Sequence, residues 1–170
     1  MPASDQGVAK SKDRYHLVPR VLCFVRHGED VLLLKGAPTK RIWPNRYNGL
    51  GGHVERREGA AAAARREIRE EAGLEVCNLR LRGVITIDTG EAAGIGLYVF
   101  TAEALSRETM PSVEGELEWV PVTRATELDL VEDLFTLLPR VLAQPDGAPP
   151  FSATYHYDEQ DRLVITFDDA

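Results

Sequence analysis

The sequence predicts a single domain of mixed α/β class, and three observations carry that prediction. A run of strong helix formers, GAAAAARREIREEAG (59–73), ends on a glycine, the usual left-handed stop of a helix. Runs rich in Val, Ile, Leu and Thr flank it on both sides and read as strands. A second amphipathic stretch, VEDLFTLLPRVLA (131–143), lies near the end of the chain. The 170 residues suit one domain and can bury a core without disulfide or metal staples.

The elements follow in order. Residues 1–14, MPASDQGVAKSKDR, are polar and read as a loose tail; with no apolar stretch they are no signal peptide. Residues 15–170 form the domain, with no internal repeat and no linker. LVPRVLCFVR (17–26) is a strand, GED turns, and VLLLK (31–35) is its hairpin partner. GAPTKRIWPNRYNG (36–49) is a long loop, and a loop of that length in a compact domain is usually functional. LGGHVE (50–55) is a short strand entered through two glycines, and the helix over 59–73 follows. Further strands fall at 76–88, 95–103 and 116–122. In the helix over 131–143, Leu134, Leu137, Leu138, Val141 and Leu142 make the apolar stripe. QPDGAPP stops it, and FSATYHY and RLVITF, joined by DEQD, close the chain as a hairpin.

Hydrophobic residues make up 44% and charged residues 28%, as in ordinary globular chains, and the net charge is −7. An acidic protein is a poor non-specific binder of nucleic acid polymers or anionic membranes, because Lys and Arg drive that binding. It can still hold a small phosphorylated ligand through a cation. No run approaches the roughly 18 apolar residues of a membrane span. Cys23 and Cys77 share no metal-binding spacing and read as two buried free thiols, which fits a reducing cytoplasm. A monomer or homodimer acting on a small molecule is expected.

The helix over 59–73 breaks a local rule. Its last turn should prefer cations, yet Glu70 and Glu71 stand there with Glu67 one turn behind. At about 100° per residue the three acids share one arc of about 100°. Ala61, Ala64, Ile68 and Ala72 share the adjacent arc and should face the core. Like charges at i,i+4 cost roughly 0.2–0.5 kcal/mol, and acids in a last turn roughly 0.3–1 kcal/mol each. The bland account is a solvated acidic face balanced by Arg65, Arg66 and Arg69. The functional account is a hard-oxygen site suited to Mg²⁺ or Mn²⁺.

The context favours the second account. In GHVERREGAAAAARREIREEAGL (52–74), Gly52 is followed after five residues by Glu58, and after seven more by Arg66, Glu67 and Ile68. Glu70, Glu71, Gly73 and Leu74 complete the stretch. It resembles the Nudix box of the Nudix hydrolase superfamily at every fixed position. Seven fixed letters at roughly one in fifteen each would recur by chance about once in 10⁸ start points. The resemblance implies an α/β/α sandwich with a mixed central sheet. It also implies Mg²⁺- or Mn²⁺-dependent hydrolysis of a nucleoside diphosphate linked to another group. By the same resemblance Glu67, Glu70 and Glu71 are metal carboxylates, and Gly51 offers its backbone carbonyl to the metal. Glu58 is an auxiliary acid acting through water or through Arg66. The general base in many relatives is a glutamate outside the box. SVEGELEWVPV (112–122) offers Glu114, Glu116 and Glu118, and spacing to Trp119 leaves Glu114 and Glu116 as candidates.

Two further segments resemble the oxidised-purine nucleoside triphosphate hydrolases, which act on 8-oxo-dGTP. RYNGLGGHVE (46–55) aligns Asn48 with a base-contacting asparagine. LDLVEDLFTLLPRVL (128–142) places Glu132 and Asp133 where those enzymes carry two base-reading acids. Where such relatives have a base-stacking Trp, this chain offers Leu130, so stacking falls to Tyr47, Trp43 or an aromatic of the last hairpin. A turn residue at Asn48 and helix-start acids at 132–133 are the structural alternatives. The expected activity is cleavage of a purine nucleoside triphosphate, oxidised bases included, to monophosphate and pyrophosphate. Another nucleoside diphosphate derivative (ADP-ribose or a dinucleoside polyphosphate), or a non-catalytic binding module, is the alternative. FVRHGED (24–30) also resembles the start of histidine phosphatases, with His27 as nucleophile. No partner motif surrounds His16, His53 or His156, and the segment fits a hairpin turn better.

Overall fold

A computed structural model describes residues 14–168 together with Pro2, Gln6 and Gly7. The expected tail over 1–14 falls mostly outside these described residues. The opening hairpin is β1 (His16–His27) and β2 (Asp30–Gly36). Then come β3 (Tyr47–Asn48), β4 (Leu50–His53), α1 (Ala60–Ala72), β5 (Val76–Ile87), β6 (Ala93–Ala104) and β7 (Gly115–Pro121). A 3-10 turn over Val122–Glu127 leads to α2 (Leu134–Ala143), and β8 (Phe151–Tyr157) and β9 (Leu163–Phe167) end the chain.

All nine strands join one mixed sheet, with the path β3-β2-β1-β6-β5-β8-β9, β4 on β1 and β7 on β2. β1–β6 and β5–β8 are parallel and the other pairs antiparallel. β6 takes one edge of β1 from His16↔Ala93 to Arg26↔Glu103. The other edge is shared: β2 holds it over Val25–His27, and β4 holds it over Arg20–Cys23. The sheet therefore forks beside β1, and the glycine strand β4 fills the fork.

Strand alternation sends β1 side chains to two cores. Val21, Cys23 and Val25 pack with Ala63, Ala64, Ile68 and Ala72 of α1. Leu22 and Phe24 pack with Leu134, Leu137, Leu138 and Val141 of α2. Helices on both faces of a mixed sheet make the α/β/α sandwich.

Several boundaries differ from the sequence expectation. The loop over 36–49 is shortened at its end, because Lys35↔Tyr47 and Leu34↔Asn48 form a short ladder. α2 starts at Leu134 and not at 131. Tyr47 N–H donates to the Asp129 carbonyl at 2.9 Å and Val131 N–H to the Tyr47 carbonyl at 3.0 Å, which holds 129–131 extended. Ala61 is exposed and Ala63 takes its place on the buried face of α1. Both cysteines are free, but Cys77 is only half-buried. The His27–Asp30 segment is a hairpin turn with Gly28 at φ 62°, and the His27 ring packs edge-on to Trp119 at 6.0 Å.

Candidate active site

The site begins with two sets of small residues. The buried face of α1 is alanine apart from Ile68, so the helix lies close to the sheet. β4 answers with Gly51 and Gly52. A Cβ on Gly51 would meet the Val21 carbonyl, and one on Gly52 would meet the Glu67 carboxylate. Only bare backbone leaves room for Glu67 there. Gly51 N–H donates to Glu71 Oε2 at 2.9 Å. In an extended residue N–H and C=O point to the same side, so the Gly51 carbonyl faces this region too.

Charge is distributed unevenly. Arg66 Nε and Nη2 each donate to Glu58 at 2.9 Å, and Nη1 donates to Glu67 at 2.7 Å and to Glu70 at 3.1 Å. Nη2 also donates to the His53 carbonyl at 2.9 Å, tying α1 to β4. Arg66 and the Glu55 N–H hold the Glu58 carboxyl down at about 2. Glu71 is the opposite case. Burial first, then the like charges of Glu67 and Glu114, push it up to about 7, against the pull of Gly51 N–H and Lys40. Lys40 Nζ pairs with Glu114 at 2.7 Å.

Among the described residues no three Asp, Glu, His or Cys side chains close into a ready metal cage. Arg66 stands between Glu67 and Glu70 and holds an oxygen of each. The donor chemistry nonetheless suits a hard divalent cation: carboxylates and one backbone carbonyl, with Glu71 short of positive charge.

A cavity of about 610 Å³ connects this end to the α2 side of the sheet. Gly51, Gly52, Glu67, Glu71 and Glu114 stand at one end, and Leu22, Ile87, Ile95 and Leu97 form an apolar floor. Asn48 and Asp133 line it too, with Arg20 and the loop residues Lys40, Ile42, Trp43 and Arg46. Asn48 Oδ1 accepts the Gly49 N–H at 2.8 Å, which leaves the amide N–H₂ free to donate. Burial, with the neighbouring Glu132 charge, pushes Asp133 up to about 6. The same Tyr47 backbone bonds that delay α2 bring Asn48 and Asp133 to one cavity.

Six of the expected site residues do not line the cavity, among them Glu58 and Arg66, which stand behind Glu67. Tyr47 turns its ring away, donating to Glu118 at 2.7 Å beneath Lys35, whose Nζ is 5.7 Å from the ring centre. Glu116 is exposed and paired in register with Lys35, so of the two base candidates only Glu114 lines the cavity. Glu132 is exposed beside half-buried Asp133, because the turn into α2 points neighbouring residues apart. Glu70 stays beside the cavity on Arg66. Leu130, at the position expected to lack a stacking ring, is fully buried, and Trp43 is the aromatic that lines the cavity. Sequence reasoning passed over Arg20 and Lys40. Arg20 carried a signal: it is a charge two residues before Leu22 in a strand whose alternate positions are core.

Residues 16–141 match the family model of the NUDIX domain. The chain belongs to the Nudix family. The NAD-capped RNA hydrolase NudC of Pseudomonas aeruginosa is 36% identical over 102 residues, 60% of this chain and 34% of that protein. The chain thus spans about a third of the NudC length. The oxidized purine nucleoside triphosphate hydrolase of Mus musculus is 26% identical over 133 residues, 78% of this chain and 83% of that protein. Among solved structures, the mutator MutT protein of Bacillus halodurans superposes with a TM-score of 0.75 at 26% identity, covering 89% of this chain and 98% of that one. The NUDIX domain of Shewanella oneidensis NrtR, solved with ADP ribose, shares the fold at 13% identity and a TM-score of 0.66, covering 84% and 97%. No helix among the described residues is long and apolar enough to cross a membrane.

Proposed function

We propose that this Nudix domain is a divalent-metal-dependent pyrophosphohydrolase. It would cleave a purine nucleoside triphosphate, oxidised bases included, to the monophosphate and pyrophosphate. One observation carries the reading: a single cavity has Glu67, Glu71 and Glu114 at one end and the polar side chains of Asn48 and Asp133 along its wall. Glu67, Glu70, Glu71 and the Gly51 carbonyl are the groups that would hold Mg²⁺ or Mn²⁺. The bound ion would supply positive charge to the phosphate oxygens and lower the pKa of water. Arg66 keeps Glu67 and Glu70 oriented and ties Glu58 to the same cluster. Glu114 would take the proton of the attacking water, so that the water oxygen bonds to phosphorus as an anhydride P–O bond breaks and pyrophosphate leaves.

The match to NudC, an NAD-capped RNA hydrolase, and the fold shared with an ADP ribose complex favour a second reading, in which the substrate is a dinucleotide or another nucleoside diphosphate derivative such as ADP-ribose. A non-catalytic binding module fits poorly, because every fixed position of the box is filled. A panel of nucleotides with Mg²⁺, products identified by mass, tests all three. Monophosphate and pyrophosphate from triphosphates alone support the proposal. Turnover only of dinucleotides or ADP-ribose supports the second reading, and turnover of nothing supports the binding module.

A further inference from the structure

Arg20 has no use in the activity just described. It sits inside the sheet, in register with His53 of β4 on one side and Leu97 of β6 on the other. It alternates with Leu22, so it stands on the α2 face, away from the α1 face that carries Glu67 and Glu71. Its Nε is buried with no hydrogen-bond partner, and among the described residues no acid pairs with its guanidinium. The acidic and basic groups acting on Glu71 are Glu67, Lys40 and Glu114, and the one acting on Asp133 is Glu132, so Arg20 neutralises neither. Arg20 nevertheless lines the cavity shared by Asn48 and Asp133. A half-buried arginine with an orphaned donor is unfavourable unless a ligand completes it.

The polar groups free to meet a ligand here have a definite pattern. Arg20 is donor-only, and the Asn48 amide N–H₂ is free to donate, while its oxygen already accepts from Gly49 N–H and keeps one further lone pair. Asp133 as a carboxylate is acceptor-only. A 6-oxopurine presents the complement: O6 and N7 accept, while N1–H donates. A 6-aminopurine puts a donor where the oxo group would be, against the donor-only guanidinium of Arg20. We infer that Arg20 is a specificity-determining residue whose guanidinium donates to the 6-oxo edge of the base, so that the cavity prefers guanine- and hypoxanthine-type nucleotides to adenine nucleotides. The inference rests on the nucleotide-binding part of the proposed function and adds the class of base.

Calorimetric titration in excess chelator tests it, because without metal the phosphate contribution is common to all three ligands. GMP, IMP and AMP are titrated into the wild type, Arg20→Gln and Arg20→Lys, with circular dichroism checking the fold. The wild type is expected to bind GMP and IMP about tenfold or more tightly than AMP. Arg20→Gln should weaken GMP and IMP by about that factor and leave AMP within about twofold, while Arg20→Lys, which keeps one charged donor, should retain part of the gap. Equal or tighter AMP binding by the wild type overturns the inference without any variant. So does an equal loss for all three ligands in Arg20→Gln, which would place Arg20 on the phosphate or in the fold, and so does no change at all. Triphosphate hydrolysis is read in parallel. If it is absent while the purine gap still depends on Arg20, the proposed activity fails and the base assignment stands. If hydrolysis proceeds and the gap ignores Arg20, only the base assignment fails.

Discussion

At the α1 end of the cavity Arg66 ties Glu58, Glu67 and Glu70 together, whereas along the α2 wall Arg20 and Asp133 face open space with no ion pair between them. The first arrangement shares one cation among three carboxylates and stays net negative. Among the described residues, the second leaves Arg20 Nε without a hydrogen-bond partner and gives Asp133 only backbone N–H partners. In the proposed reading the α1 end would hold carboxylates in place for a cation, and the α2 wall would offer polar groups to the edges of an organic ligand. Glu71 is the exception that joins them, an α1 acid as short of partners as Asp133.

The sharpest way to break this contrast is Glu71→Gln. Loss of this half-buried acid, which has no ion pair of its own among the described residues, should lower turnover by about a hundredfold or more, several kcal/mol of lost charge stabilisation. Without metal the same variant should melt at the same temperature or higher, by about 0.3–1 kcal/mol, since a crowded charge leaves a negative helix end. Near-normal turnover, or a clearly lower melting point, would show that Glu71 serves structure and not the cation.

Gly52→Ala comes next. Its Cβ meets the end of a flexible side chain, the Glu67 carboxylate, which can move aside. Stability should therefore change by about 1 kcal/mol or less, while turnover falls about tenfold or more because Glu67 leaves its place. A variant as active as the wild type would mean that Glu67 need not lie against β4.

Asp133→Asn probes the other wall through pH. The folded chain raises the Asp133 carboxyl from 3.8 to about 6, so it binds a proton more tightly folded than unfolded. Its contribution to stability is therefore best below about pH 4 and is lost as pH rises through 6, by roughly 1–3 kcal/mol at neutral pH. Urea unfolding at pH 4 and pH 7.5 should show that decline in the wild type and a flatter profile in Asp133→Asn. Parallel profiles for the two proteins would remove the case for an unmet acid there. The smallest effect is expected next door. Glu132→Ala, exposed and off the cavity, should leave turnover within about twofold and stability within about 0.5 kcal/mol. A larger loss would mean that both neighbouring acids reach the ligand.

The two ends also differ in how far they could be read from residues alone. Glu67, Glu70 and Glu71 lie within five residues on one helix, so their common face follows from the helical period and needs no knowledge of the rest of the chain. Glu114 and Glu116 lie two apart around Gly115, and only the placement of β7 against β2, with Lys40 reaching Glu114, separates them. Tyr47 looked like a stacking ring because it is aromatic and beside Asn48. Its hydrogen bond to Glu118, 71 residues away, turns it elsewhere. Ala61 and Ala63 could not be ranked on a helix face made almost wholly of alanine, where small residues give the period little contrast.

By itself the sequence determined the family, the two helices, most of the strands and the carboxylate face of α1. Those features rest on spacing and local period, which act over a few residues. The tertiary structure alone decided that β2 and β4 share one edge of β1, which puts Gly51 and Gly52 against Glu71 and Glu67. It alone decided that Tyr47 pins Asp129 and Val131, which starts α2 late and sets Asp133 in the cavity with Asn48 while Glu132 stays in solvent. It alone showed that, among the described residues, Arg20 Nε is buried without a hydrogen-bond partner. Each of these depends on pairing between residues far apart in the chain, and no local pattern specifies which distant backbone group will occupy a given edge.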